Sequence, residues 1–95
     1  MNKDLITEDR RLALLKCLKA GNYRMSDVLL QSALRAIGCA AALSVVNADL
    51  AWMEQIGLVS LSKVGELTLA LLCNEGLDVA DGNARVPGIA LPKPE

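Results

Sequence analysis

The stretch Asp49-Leu50-Ala51-Trp52-Met53-Glu54-Gln55-Ile56-Gly57-Leu58-Val59 constrains this chain more than any other. Leu50, Met53 and Ile56 recur every three residues and share one helical face. Gly57 enters the left-handed region at no steric cost, which is how helices commonly stop. Beyond it, Leu58 leads into Val59-Ser60-Leu61-Ser62, which alternates apolar with polar as a half-buried strand does. A helix that stops on a glycine and runs straight into a strand admits few small architectures.

The rest of the chain narrows them further. Thr7, followed by Glu8 and Asp9, predicts the N-cap of a first helix over about residues 8–20, with Leu5 and Ile6 stapling the cap and Gly21-Asn22 as its stop. Ser26 and Asp27 open a second helix over about 27–37. Its apolar stripe is Leu30, Ala33, Leu34 and Ile37, and it stops at Gly38. A third helix starts between Ala41 and Ser44 and runs to Ile56. Leu43, Val46, Leu50 and Met53 face the first two helices, and the half-buried Trp52 is turned toward the hairpin. Residues 58–62 and 67–72 read as a hairpin about Lys63-Val64-Gly65-Glu66, with Leu61, Leu67, Leu69 and Leu71 on its buried face. A short last helix runs from Cys73 or Asn74 to about Ala80. All three prolines fall in residues 83–95, an extended or disordered tail after a domain of residues 1–82. The predicted fold is mainly α with a small β-hairpin. It is a winged helix-turn-helix: three-helix core, two-stranded wing, short fourth helix and extended C-terminal tail.

With 95 residues there is one core to bury, and with no Phe, one Trp and one Tyr that core must be aliphatic. A net charge of −1 gives no global basic field. The cations concentrate in the first half, as Lys3, Arg10, Arg11, Lys16, Lys19, Arg24 and Arg35. If an anion is bound, the first two helices are its contact. The polar N-terminus resembles no signal peptide and no apolar run reaches a membrane span, so a cytoplasmic protein is expected.

Enzymatic chemistry is hard to build from these residues. There is no His, no Gly-rich phosphate loop, and no Ser or Cys beside an activating base in sequence. Cys17, Cys39 and Cys73 are widely spaced and sit among aliphatics, so buried thiols are expected rather than a zinc site. Asp78 and Asp81, three apart, read as solvated carboxylates. Neither a metal nor a cofactor is expected.

Gly38-Cys39, a helix ending in Asp49–Val59, a hairpin, and then Cys73-Asn-Glu-Gly-Leu-Asp-Val-Ala80 resemble the small winged-helix proteins of Mu-like prophages, themselves similar to the ArsR class of regulators. That family's pattern is Asp-Leu-x-Trp-Leu-Glu-x-x-Gly-Leu-Val, a Leu-Thr-x-x-Gly-Leu-Asp-Val-Ala stretch and an Arg-Val-Pro-Gly tail, matched here by Arg85-Val86-Pro87-Gly88. The resemblance extends from Thr7 to Pro92 and implies a phage-encoded, dimeric, DNA-binding regulator.

The expected function is that of the DNA-binding transcriptional regulator, with one alternative. For double-stranded DNA, the base-reading candidates are Ser44, Asn47 and Gln55, Asn47 being suited to an adenine edge. The phosphate contacts would come from Arg10, Arg11, Lys16, Lys19, Arg24, Arg35 and Lys63. The third helix, however, carries no Lys or Arg, and Asp49 and Glu54 would repel a phosphate backbone unless neutralised. Where the family has polar or basic residues early in this helix, the chain has Ala40, Ala42, Leu43, Ser44, Val45, Asn47 and Ala48. The alternative is a winged-helix scaffold that binds protein. Under either reading, part of the surface made by Ala40, Ala41, Val45, Ala48 and Ala51, or the tail with Val86, Ile89 and Leu91, would close a homodimer.

Overall fold

Four helices and three strands make up the computed structural model, which describes residues 3–93. Helix α1 (Lys3–Ala20) starts ahead of the expected residue 8, so Thr7 lies inside it and is not its cap. No Gly or Pro interrupts residues 3–7, and Asp4 in the first turn complements the helix dipole, so the helix extends back past Thr7. Leu5 and Ile6 are consequently exposed on that first turn instead of stapling a cap.

The chain reverses after α1 through two left-handed residues, Asn22 (φ 66°) and Tyr23 (φ 73°), with the Tyr23 N–H donating to the Leu18 carbonyl at 2.7 Å. It returns as strand β1 (Arg24–Ser26), too short to show an alternation in sequence. Ser26 then opens helix α2 (Asp27–Ala36) as expected, its hydroxyl accepting the Leu29 N–H at 3.2 Å. Leu30 and Leu34 are buried. Ile37, placed on the same stripe by its spacing, is 57% exposed because it lies past the last helical turn.

Helix α3 (Leu43–Gln55) is entered through Ala42, so Ser44 does not cap it. Its end follows the sequence reading. Gly57 sits at φ 81°, its N–H donates to the Glu54 carbonyl at 3.0 Å, and the Leu58 N–H donates to the Met53 carbonyl at 2.9 Å. This pair of bonds satisfies carbonyls that a helix end otherwise orphans.

Strands β2 (Val59–Val64) and β3 (Leu67–Leu72) form the hairpin, and β1 pairs with the other edge of β3. The sheet is therefore three-stranded and antiparallel, in the order β1-β3-β2, and the fold is mixed α/β rather than mainly α with a two-stranded wing. Val59 faces Leu72 and Leu61 faces Ala70 across the ladder. Opposed residues share a face, so Thr68, Ala70 and Leu72 turn toward the helices. Leu67 and Leu71 are left outside, 42% and 44% exposed, with Leu69 half-buried. This reverses the expected facing of Leu67, Leu69 and Leu71. Strand β3 is apolar on both faces, so its pattern cannot choose, and pairing with Val59 and Leu61 decides.

The core is aliphatic. Leu14, Leu15 and Leu18 of α1, Leu30 and Leu34 of α2, and Val46, Leu50 and Met53 of α3 are fully buried. Helix α4 (Asn74–Ala80) packs on α1. Residues 83–93 follow without regular structure but against the body. Ile89 is 6% exposed within the core, and the Ala90 N–H donates to the Glu8 carbonyl at 3.2 Å.

Candidate functional site

One stripe of α3 points outward. Ser44, Ala48, Ala51 and Gln55 recur at i, i+4, i+7 and i+11, and all are exposed. Beside it, α3 and the hairpin enclose an open groove of about 330 Å³ lined by Asn47, Ala51, Leu61, Ser62, Lys63 and Thr68. Glu54 closes the upper edge, its carboxylate accepting the Leu61 N–H at 2.8 Å. That bond also occupies one of the outward-facing donors of β2, an edge strand. The groove thus unites Asn47, Ala51 and Lys63 from the sequence candidates, and its rim contributes one cation.

Asn47 is tied inward. Its amide nitrogen donates to Asp27 Oδ2 at 3.0 Å and to the Leu43 carbonyl at 3.2 Å. A bidentate adenine contact needs that donor, so a base could reach only the amide oxygen without breaking both bonds. Asp27 itself is buried. Its Oδ1 accepts the Val28 N–H at 2.9 Å and approaches the Thr68 N–H at 3.4 Å. Strand β1 ends opposite Leu69, and the carboxylate takes over where the next strand residue would have accepted from β3. One side chain therefore holds the start of α2, the middle of α3 and the hairpin together.

The inner side of α3 carries the other buried carboxylate. Asp49, 3% exposed, receives Arg10 Nε on Oδ2 and Arg11 Nε on Oδ1, the latter at 3.1 Å. Arg11 also donates through Nη1 to the Gly88 carbonyl at 3.2 Å, and its guanidinium lies 3.9 Å from the centroid of the Trp52 ring. Trp52 is thus turned toward α1 and the tail, not toward the hairpin as expected. Gly88 packs so closely on that ring that a Cβ would sit 2.8 Å from Trp52 Cη2. Charge and π-face geometry favour the guanidinium stacked here. Asp49 is neutralised, as DNA binding would require, but by the two arginines expected on phosphate.

Lys19 pairs with Asp81 at 2.5 Å, and the hydrogen bond to that carboxylate raises the lysine's pKa. Lys16, Arg24, Arg35 and Lys63 are exposed and have no ion pair among the described residues. They lie on α1, β1, α2 and β2 respectively. Among the interface candidates, Ala40, Ala48 and Ala51 are exposed. Ala41 and Val45 are half-buried, and Ala41 packs on the core, its carbonyl accepting Gln31 Nε2 at 3.1 Å. In the tail Ile89 is inside the chain's own core, Val86 is half-buried against it, and Leu91 is exposed. Cys17, Cys39 and Cys73 are free thiols, and burial raises the Cys17 pKa.

The sequence reading missed Asp27 as a hub, because a first-turn acid is ordinary dipole matching until a third element donates to it. It also missed Tyr23, which no local pattern marks.

Over 94 residues the chain is 35% identical to protein gp26 of Escherichia phage Mu, an alignment covering 99% of this chain and 98% of that one. A second match, 29% identical over 62 residues, covers 65% of this chain and 61% of a protein of Haemophilus influenzae. Both relatives are described as uncharacterized, so the likeness carries descent and no chemistry. No family model and no solved structure matches.

Proposed function

We propose that this chain, which belongs to the family of the phage Mu protein gp26, is a winged-helix scaffold whose α3 stripe contacts protein, in the first instance a second copy of itself. The order helix, strand, two helices and hairpin, with the short first strand joined to the hairpin, supports the winged-helix reading. The observation that carries the protein-contact reading is the separation of charge on α3. Its outward stripe Ser44, Ala48, Ala51 and Gln55 is uncharged and its one exposed charge, Glu54, is a carboxylate bonded to the Leu61 N–H, while Arg10 and Arg11 are drawn inward onto Asp49. Phosphate contacts supply most of the affinity of a DNA-binding surface, and this helix presents none. Alanines permit close approach of a second helix, and a two-fold axis would set the same stripe against itself.

Double-stranded DNA is the second reading. It is favoured by Lys63 beside α3 in the groove, and by Lys16, Arg24 and Arg35, which have no ion pair among the described residues. Fluorescence anisotropy of a labelled random duplex at low and near-physiological salt separates the two. The protein-contact reading expects no binding at either salt, together with a sedimentation coefficient that rises with protein concentration. It also expects Ala51→Glu to restore the monomer, by bringing two carboxylates together across the axis. Binding that falls steeply with salt, from a protein that stays monomeric, would overturn it in favour of DNA.

A further inference from the structure

The face of the sheet turned away from the helices is also uncovered. Two adjoining clefts lie on it, lined among others by Tyr23, Arg24, Ser60 and Leu71, and a third runs from Tyr23 and Leu71 past the end of β3 to Leu77 of α4. Leu67 and Val64 extend the apolar surface toward the hairpin tip, 42% and 54% exposed. Among the described residues no acidic side chain lines these clefts, and Arg24, in register with Leu71 and Ser60, has no ion pair.

Tyr23 adds an independent sign. Its backbone is held left-handed from both sides, its N–H on the Leu18 carbonyl and its own carbonyl accepting the Leu72 N–H at 2.7 Å. Asn or Gly suits such a site and a bulky aromatic strains it, yet the ring is 43% exposed and lines two of the clefts. Strained and exposed, Tyr23 places an aromatic contact at the edge of this face.

We propose that this outer sheet face binds a short protein segment in which a large apolar side chain stands next to a carboxylate, the apolar group seated on Leu71 and Tyr23 and the acid on Arg24. The charge pattern selects the acid, because an unpaired guanidinium on an acid-free apolar face is complementary to an anion. It also selects against a second copy, which would bring two Arg24 side chains onto one face with nothing to neutralise them. Size agrees. Three strands about 4.8 Å apart and up to six residues long give a footprint of about 200 Å². A stable pairing of folded subunits needs about 800 Å² on each side, whereas a segment of a few residues fits. This face lies across the sheet from the α3 groove, so the proposal does not depend on what α3 binds.

Selection of a random displayed-peptide library on the full-length chain tests it. Enriched peptides are expected to share an acid beside Leu, Ile or Phe, and the amide shifts they induce should fall on residues 23–24, 60 and 69–71. Arg24→Glu is expected to weaken the selected peptide about five- to tenfold, the change for an exposed ion pair turned repulsive, and to enrich basic peptides in a fresh selection. Should that variant fail to fold, Ser60→Glu adds an acid beside Arg24 on the same face and is expected to weaken the same peptide. No enrichment, enrichment without an acid, or shifts confined to the α3 groove would each overturn the proposal.

Discussion

The two sides of helix α3 have opposite chemistry. Inward, Asp49 binds two guanidiniums at 3% exposure and Asn47 reaches a buried Asp27. Outward, the stripe Ser44, Ala48, Ala51 and Gln55 carries no charge, and exposed Glu54 beside it adds a carboxylate and no cation. In a helix offered to DNA the charges would stand outside and the alanines within. Here Arg10 and Arg11, which by sequence look like a basic surface, act as internal ties between α1, α3 and the tail. A charge count over a segment therefore says nothing about a surface until the partners of each charge are known.

That contrast is sharpest at Asp49. Asp49→Ala leaves two part-buried guanidiniums without their acceptor and is expected to cost about 3–5 kcal/mol, lowering Tm by more than about 12 °C. Ala48→Ser on the outer stripe should stay within about 0.5 kcal/mol. Thermal denaturation of the two variants checks the comparison, and equal small losses would erase the difference between the faces.

The tail belongs to the inner side of the same account. Ile89→Ala empties a buried site and is expected to cost about 2–3 kcal/mol, with Trp52 emission shifted to the red as the ring beside Gly88 is wetted. A denaturant titration unaffected by the change would mean that residues 83–93 are not part of the folded unit. A smaller effect is expected at Asn47→Ala, about 1–2 kcal/mol, because Asp27 loses one of its donors. On the inner-tie account it changes stability and leaves DNA anisotropy where it was; altered sequence preference would return Asn47 to a base-reading role.

The smallest expected effect is at Lys19, whose pKa is raised by Asp81. A lysine that gains a partner on folding contributes its stability below its unfolded pKa, about 10.4, and loses it as pH climbs through the higher folded value. Lys19→Met should therefore be slightly less stable than the parent throughout pH 5–8 and should converge with it above about pH 10, as the parent's lysine loses its proton. Thermal denaturation curves that coincide at pH 5–8 would show that the pair contributes nothing.

Three helix ends were legible in the chain, although the start expected at Thr7 was not. Gly38 and Gly57 mark stops by local backbone demands, and Ser26 marks a start by the reach of one hydroxyl, so neighbouring residues suffice. The hairpin was visible too, but the facing of β3 was not, because Leu67, Leu69 and Leu71 are as apolar as the Ala70 and Leu72 that the core accepted. Of the candidate site, the lack of a cation on α3 could be read from the sequence, but its outer stripe only in Ala48 and Ala51, since Ala41 and Val45 are half-buried. The loss of Arg10 and Arg11 from the surface could not be read. Their partners lie 39 and 38 residues along the chain.

By itself, the amino-acid sequence determined the helical periodicities, the glycine stops, an aliphatic core and a helix that presents small residues without a cation. Each of these follows from residues within a few positions of one another. Only the tertiary structure decided that β1 completes a three-stranded sheet, that its leucine-rich outer face stands open, and that Asp27 and Asp49 are the internal anchors of α3. Those outcomes depend on which distant groups meet once the core closes. A buried carboxylate or guanidinium must find a partner wherever the fold brings one within reach.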